Sequence, residues 1–181
     1  IMNLDKLFNP DAILTQLFKS KLLNNKNLNI NGIINAEQIT PFRDLNNLVF
    51  KFRIEDGLLD ISETKFSWLD YADFQIFDSL LYVRDNNLVL DGNISIDIHN
   101  SSEIYKFFQT PRNYRKKINK IKFNFIYNFD QEITNLNNIE IDNLVNPDVN
   151  NILGQFISKE VKQQNFLIPP YFCVSPIIFV L

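Results

Sequence analysis

The amino-acid sequence predicts an antiparallel, mainly β domain with flanking helices, and three observations carry that expectation. From Leu48 onward, Leu48, Phe50, Phe52 and Ile54 alternate with Val49, Lys51, Arg53 and Glu55. Further along, Leu88, Leu90, Ile94, Ile96 and Ile98 alternate with Val89, Asp91, Asn93, Ser95 and Asp97. Successive side chains of a strand point to opposite faces, so each run reads as a strand with one apolar and one polar face. At either end of this region the apolar spacing changes to the helical period.

The chain of 181 residues suits one domain, with or without appendages, and is long enough to bury a core. A hydrophobic fraction of 45% and a charged fraction of 22% are those of a folded protein. A net charge of −3 argues against a nucleic-acid partner, which calls for a basic surface. Asn and Ile are abundant, and an AT-rich coding sequence is the simplest explanation. Cys173 alone excludes an internal disulfide and leaves the compartment open. The chain begins at Ile1 without a signal-like stretch, which reads as a fragment whose start lies upstream.

The first element expected is a helix near 10–23. Asn9 suits its N-cap, Pro10 its first position and Asp11 its dipole. Leu14, Leu17, Phe18 and Leu22 form the apolar stripe, Lys19 and Lys21 occupy the last turn, and Asn24-Asn25 ends it. From Asn27 the period becomes two. Asn27-Leu28-Asn29-Ile30-Asn31-Gly32-Ile33-Ile34-Asn35 matches Asn87-Leu88-Val89-Leu90-Asp91-Gly92-Asn93-Ile94-Ser95 in pattern, which suggests internal repetition. Apolar parity runs straight through both glycines, so each reads as a bulge or bend within one long strand.

Hairpin turns are expected at Glu55-Asp56-Gly57 and at Arg84-Asp85-Asn86-Asn87. Leu59 and Ile61 differ in parity from Phe66 and Trp68, which requires a turn or bulge near Glu63-Thr64. Apolar residues of both parities between Phe74 and Val83 predict a central strand covered on both faces. Asn100 and Glu103 form a capping box for a helix near 101–109, with Ile104, Phe107 and Phe108 on its buried face. Thr110-Pro111 ends that helix and opens one more turn. Lys120 to Phe129 is a strand with Ile121, Phe123, Phe125, Tyr127 and Phe129 on one face, and a last strand carries Ile139 and Ile141. Asn146-Pro147-Asp148 opens a helix near 147–160. The expected organisation is therefore a helical segment (1–26) and a sheet domain (27–143) with a helical insertion at 101–117. A helix (144–165) and an irregular, proline-interrupted tail (166–181) follow.

Raw material for catalysis is scarce. One His, one Cys and the absence of Cys-x-x-Cys or His-Glu-x-x-His argue against a zinc site. His99 reads as a surface or capping residue. Glycines only at 32, 57, 92 and 154 cannot build a phosphate loop or dinucleotide fingerprint. Asp56, Asp60, Asp70, Asp73 and Asp78 sit beside turns or on polar faces, where solvation is the simpler reading. No enzyme activity and no cofactor are expected. The strongest charge feature is Arg112, Arg115, Lys116, Lys117, Lys120 and Lys122, interleaved with Tyr105, Phe107, Phe108 and Tyr114. It suits an anionic surface at about 1 kcal/mol per exposed cation. The simpler reading is a solvated face that keeps an aromatic-rich region soluble.

The run from Phe52 through Gly57 to Ile61, followed by Thr64-Lys65-Phe66-Ser67-Trp68, resembles the C-terminal region of AsmA-like proteins. So do Asp78-Ser79-Leu80, Leu88-Val89-Leu90-Asp91-Gly92, the stretch Glu103 to Pro111, and Ile139-Glu140-Ile141-Asp142. The resemblance spans roughly Leu4 to Glu160 and is structural rather than catalytic. It implies a Gram-negative envelope protein with its bulk in the periplasm, tethered to the inner membrane by a helix upstream of this fragment. It also implies a long, curved sheet whose apolar groove shields or conveys lipid acyl chains, in the manner of bridge-like lipid transfer proteins, or supports outer-membrane assembly.

The expected lipid-facing residues are Phe50, Phe52, Ile54, Leu88, Leu90, Ile94, Ile96, Phe123, Phe125 and Phe129. Their partner would be a phospholipid or other envelope lipid. The alternative is a periplasmic protein–protein adaptor whose same residues form a closed core around no ligand.

Overall fold

A computed structural model describes residues 2–3, 11–40, 42, 44–131, 133–145 and 147. They build one mixed, mostly antiparallel sheet with two flanking helices. Its strands are β1 (Met2–Asn3), β2 (Asn29–Thr40), β3 (Leu45–Glu55), β4 (Leu58–Asp60), β5 (Lys65–Trp68), β6 (Ala72–Arg84), β7 (Asn87–Ile98), β8 (Lys120–Asn128), β9 (Ile133–Ile141) and β10 (Leu144–Val145). From β2 onward the path is a meander of antiparallel neighbours, with β4 and β5 sharing one lane between β3 and β6. β1 alone pairs in parallel, against Ile39 and Thr40 of β2. Helix α1 (Ile13–Lys19) lies against β6 and β7, and helix α2 (Ser101–Phe107) occupies the connection from β7 to β8.

The turns follow local chemistry. Asp56-Gly57, Asp85-Asn86 and Asp142-Asn143 all have positive φ, the type I′ geometry that matches strand twist in two-residue hairpins. Among the described residues, eight of the twelve non-glycine residues at positive φ are Asn or Asp, whose short polar side chains tolerate that region. The abundant asparagines thus have a structural use beyond codon bias.

Single residues at positive φ also bulge the strands and keep one face apolar. On β6, Asp78 (φ 47°) and the register shift between Phe77 and Leu80 switch the inward set from Ala72, Phe74 and Ile76 to Ser79, Leu81 and Val83. This corrects the expectation that Phe74 to Val83 is covered on both faces. β6 is central, but Leu80 on its outer face is 38% exposed. β7 instead carries consecutive buried positions, at Leu88 and Val89 and at Ile94, Ser95 and Ile96. Asn47 (φ 53°) marks the same kind of switch on β3, between Leu45 and Leu48, and Glu63 (φ 68°) makes the expected turn between β4 and β5.

Both repeated glycines lie inside unbroken strands of twelve residues, and the only bulge beside them is on β6, opposite Gly92. At Gly32 a Cβ would meet the far edge of the Phe52 ring at 2.3 Å. At Gly92 it would meet Ser79 Oγ at 1.8 Å and the Ser79 Cα at 2.9 Å.

The helices are shorter than expected. α1 runs Ile13–Lys19 rather than to residue 23, and Lys21 (φ 60°) stands just past its end in the left-handed conformation usual for glycine. Leu22 is therefore off the stripe and 69% exposed, and Asn24-Asn25 does not end the helix. The Asn9-Pro10 start signal lies outside the described residues. Thr15 and Phe18 are the buried residues of α1. In α2 the Asn100 side chain accepts from the Glu103 N–H at 3.3 Å, but the Asn100 N–H goes to the Tyr71 carbonyl, so the box is half formed. Tyr105 is its buried residue, whereas Phe107 is 56% exposed, against expectation. The expected one-turn continuation is a 3₁₀ turn, Arg112–Tyr114. The strand through Ile139 and Ile141, expected as the last, starts at Ile133, six residues before Ile139, and is followed by β10. Except for Pro147, the expected helix near 147–160 and the tail 166–181 lie outside the described residues.

Two apolar clusters share the inner face. Under α1, Phe18 packs with Ile54, Leu59, Ile61, Leu81 and Leu88. Toward α2, Trp68, Phe74, Ile94, Ile96, Tyr105, Ile121, Phe123 and Phe125 join a larger cluster that reaches Leu136 and Ile139 of β9. A polar contact helps to fasten α1 to the sheet. Asp130 accepts from the Leu88 N–H at 2.7 Å and from Lys19 Nζ.

Burial alone would raise the Asp130 pKa, but the hydrogen bonds from Lys19 and Leu88 and the Lys19 charge outweigh it and hold the carboxyl below its usual range. A folded-state pKa below the unfolded one stabilises above the unfolded value, about 3.9, and that stabilisation disappears as pH falls through the folded value. Asp130→Asn is expected to cost about 1–2 kcal/mol at neutral pH and to flatten the acid limb of the stability profile below about pH 4. Urea melts across that range check it, and an acid limb as steep as the wild type's would refute the assignment.

Candidate functional site

The ten apolar candidates divide by burial. Ile54, Leu88, Ile94, Ile96, Phe123 and Phe125 are buried, all at 7% exposure or less, while Phe50, Phe52, Leu90 and Phe129 are half-buried. The division has a spatial order. Phe50, Ile76 and Leu90 pack against both clusters and so lie between the part of the face under α1 and the part toward α2. Cross-strand register extends them into a band. Ile34 (41% exposed) pairs with Phe50, and Leu90 pairs with half-buried Tyr127. Phe52 sits beside Phe50 with ring centroids 5.7 Å apart, and Ile30 on the flank is 40% exposed. An incompletely covered apolar band thus runs from β2 toward β8 between the two helices.

The face below α2 is closed. A cavity of about 40 Å³, lined by Trp68, Phe74, Ile96, Tyr105, Phe108 and Ile121 among others, is far below the ~300–1,000 Å³ of a small-molecule site. Trp68 meets Phe107 and Phe108 edge-on at 5.1 and 5.9 Å, which seats α2 on the sheet.

The structure separates the six basic candidates. Lys120 pairs with Asp97 at 2.9 Å, and Lys122 stands opposite Glu140 in the β8–β9 register, so both belong to the sheet's outer face. Arg112, Arg115, Lys116 and Lys117 belong to the loop after α2. Two side-chain bonds hold that loop: the Tyr105 hydroxyl donates to the Lys116 carbonyl at 2.7 Å, and Arg115 Nε donates to the Thr110 carbonyl at 2.8 Å. Burial raises the Tyr105 pKa, so its phenol stays a donor. Ile118 anchors the far end at 8% exposure. Tyr114, at 65% exposure, points away from the core together with exposed Arg112, Lys116 and Lys117.

One cluster brings Ser, Asp and His together. Ser67 Oγ donates to Asp73 Oδ1 at 2.7 Å, and His99 Nε2 lies 2.8 Å from Asp73 Oδ2. The carboxylate is in the middle, held below its usual pKa by Ser67 and His99, and no contact joins His99 to the hydroxyl. A nucleophile relay requires the imidazole on the hydroxyl, so this is a surface hydrogen-bond network, with side chains of His99 and Asp73 more than half exposed. His99 thereby takes the surface role expected of it. Among the described residues no cluster of three or more His, Cys, Asp or Glu side chains is placed to hold a metal. Among them, too, no helix is long and apolar enough to cross a membrane.

No family model, curated protein or solved structure matches the chain.

Of the band, sequence reasoning finds Phe50, Phe52 and Leu90 as groove candidates and misses Ile30, Ile34, Ile76 and Tyr127, although it places Ile30, Ile34 and Tyr127 on apolar strand faces. It does not find the band itself. That depends on where two helices come to rest on the sheet, which alternation within a strand does not encode.

Proposed function

We propose that this chain is a segment of an AsmA-like envelope protein that shields acyl chains of a phospholipid or other envelope lipid along its apolar sheet face, with no catalytic step. The observation that carries the reading is the band through exposed Ile34 and half-buried Phe50, Ile76, Leu90 and Tyr127. A contiguous apolar strip left partly uncovered on a folded domain marks a binding surface more often than a core defect. An antiparallel meander suits this role, because further strands extend the same face by hairpins alone. On this reading the sheet is one stretch of a longer, curved groove in the periplasm, and an upstream helix tethers the protein to the inner membrane. The same surface then serves lipid passage toward the outer membrane or outer-membrane assembly.

A second reading, a periplasmic protein–protein adaptor with a closed core, rests on the burial of six of the ten candidates. Leu90 and Leu88 separate the two readings, since they lie on one face of β7 with Leu88 fully buried and Leu90 half-buried. A diazirine analogue of leucine placed at Leu90 is expected to capture lipid in cells, while the same analogue at Leu88 captures only protein. Protein adducts alone at both positions would reject the lipid reading and favour the adaptor.

A further inference from the structure

The loop after α2 concentrates charge of one sign in a chain of the other. Residues 101–122 contain seven of the eighteen Lys and Arg and one of the twenty-one Asp and Glu, a local charge of +6 against −9 for the remainder. Glu103 pairs with Lys106 at 2.6 Å and Lys120 with Asp97, which takes two of these cations out of play. Arg112, Lys116 and Lys117 are exposed and have no ion pair among the described residues. Beside them in the chain stand two exposed aromatic rings, Phe107 and Tyr114, at 56% and 65%. The Tyr105 and Arg115 hydrogen bonds and buried Ile118 fix the loop backbone from the inside, so Arg112, Lys116 and Lys117 are presented without a further cost of ordering the backbone.

We infer that this loop docks the domain on an anionic bilayer surface, with Arg112, Lys116 and Lys117 at the headgroups and Phe107 and Tyr114 in the interfacial layer. The pairing of cations with exposed rings favours a membrane over a soluble polyanion. Aromatic side chains settle at the boundary between water and hydrocarbon, and a negatively charged leaflet attracts neighbouring Lys and Arg. The inference stands apart from the acyl-chain band, which involves different residues of the sheet interior.

Co-sedimentation of the full chain with vesicles of phosphatidylglycerol and phosphatidylcholine in equal parts tests it, with pure phosphatidylcholine vesicles alongside. Binding is expected to the anionic vesicles only and to fall steeply with added salt. The triple variant Arg112→Gln, Lys116→Gln, Lys117→Gln removes about fivefold in affinity per cation, a loss on the order of 100-fold. Phe107→Ala with Tyr114→Ala weakens binding at high salt as well, where the electrostatic part is screened. The three cations and Tyr114 are exposed, whereas Phe107 also rests edge-on against Trp68. Unchanged melting temperatures are therefore required of both variants, and Tyr114→Ala alone reads the ring contribution where the double variant melts lower. Equal sedimentation with neutral vesicles, full binding by the folded triple variant, or equally tight binding to single-stranded RNA would each overturn the assignment. Because the acyl-chain test reads Leu90, its failure leaves this result untouched.

Discussion

Gly92→Ala is expected to lower stability by about 3 kcal/mol, at the upper end of what overpacking costs. The reason is where the new methyl would go. Ser79 Oγ occupies that space at 1.8 Å from the methyl position, with Ser79 Cβ at 2.4 Å and its backbone Cα at 2.9 Å. Ser79 cannot rotate away cheaply. Its Oγ donates to the Phe77 carbonyl at 2.8 Å and accepts from the Asn93 N–H at 3.2 Å, and its N–H donates to Ser62 Oγ at 3.0 Å. Its carbonyl accepts from Ile61 N–H at 3.0 Å. Together these bonds tie the β6 bulge to β7 and to the turn between β4 and β5. Displacing the serine breaks polar contacts at a site only 1% exposed, where unmade hydrogen bonds are costly.

Gly32 provides the internal comparison, because it occupies the matching place in the repeated pattern. There the obstacle is the outer edge of the Phe52 ring, a half-buried side chain that can swing aside. Gly32→Ala is expected to cost about 1 kcal/mol or less, partly offset by the reduced freedom of the unfolded chain. Thermal melts should therefore separate the two variants, with Gly92→Ala lower by several degrees. Equal losses would mean that neither glycine is explained by its close contact. The sequence pattern makes these two glycines look alike, and only the neighbouring strand distinguishes them.

Features set by local chemistry were legible in the sequence. Asp56-Gly57 and Asp85-Asn86 are type I′ pairs whose conformational needs show in the residue types themselves. The strands through Phe50, Leu88 and Phe123 follow from alternation, and the glycines sit within strands as parity requires. The Asp142-Asn143 turn has the same chemistry, yet β9 before it hides behind Asn135, Asn137 and Asn138, with Leu136 and Ile139 its buried residues. Bulges are harder still. Asp78 changes the parity of β6 in one step, and without the partner strand that change resembles a strand apolar on both sides. The end of α1 rests on Lys21 in a conformation that normally identifies glycine, so no stop signal is visible. In seven-residue α2 the buried position goes to Tyr105, whose hydroxyl finds the Lys116 carbonyl eleven residues on, a partner that helical periodicity cannot supply. The candidate band is the least local feature of all, since both of its borders are set by tertiary contacts.

Phe125→Ala and Phe50→Ala should separate what holds the fold from what the face binds. Phe125, 2% exposed, packs among Ile94, Phe123 and Leu136 and pairs across the sheet with Gly92 and Leu136. Truncating a phenyl ring there leaves a void that fixed neighbouring strands cannot close. The expected loss is about 3–5 kcal/mol, a large part of the stability of a domain this size. Phe50 makes its contacts at the border of both clusters and is half-buried, so truncation removes less burial and leaves no closed cavity. Its expected cost is about 1–2 kcal/mol. If the band receives acyl chains, Phe50→Ala reduces co-purifying lipid while the protein remains folded. Phe125→Ala, by contrast, reduces the yield of folded protein without changing lipid per folded molecule. Denaturant midpoints and lipid quantification on the same preparations read both effects. Similar stability losses at the two positions, with lipid unchanged, would mean that the band is simply the middle of a closed core. The adaptor reading would then be the better account of the apolar face.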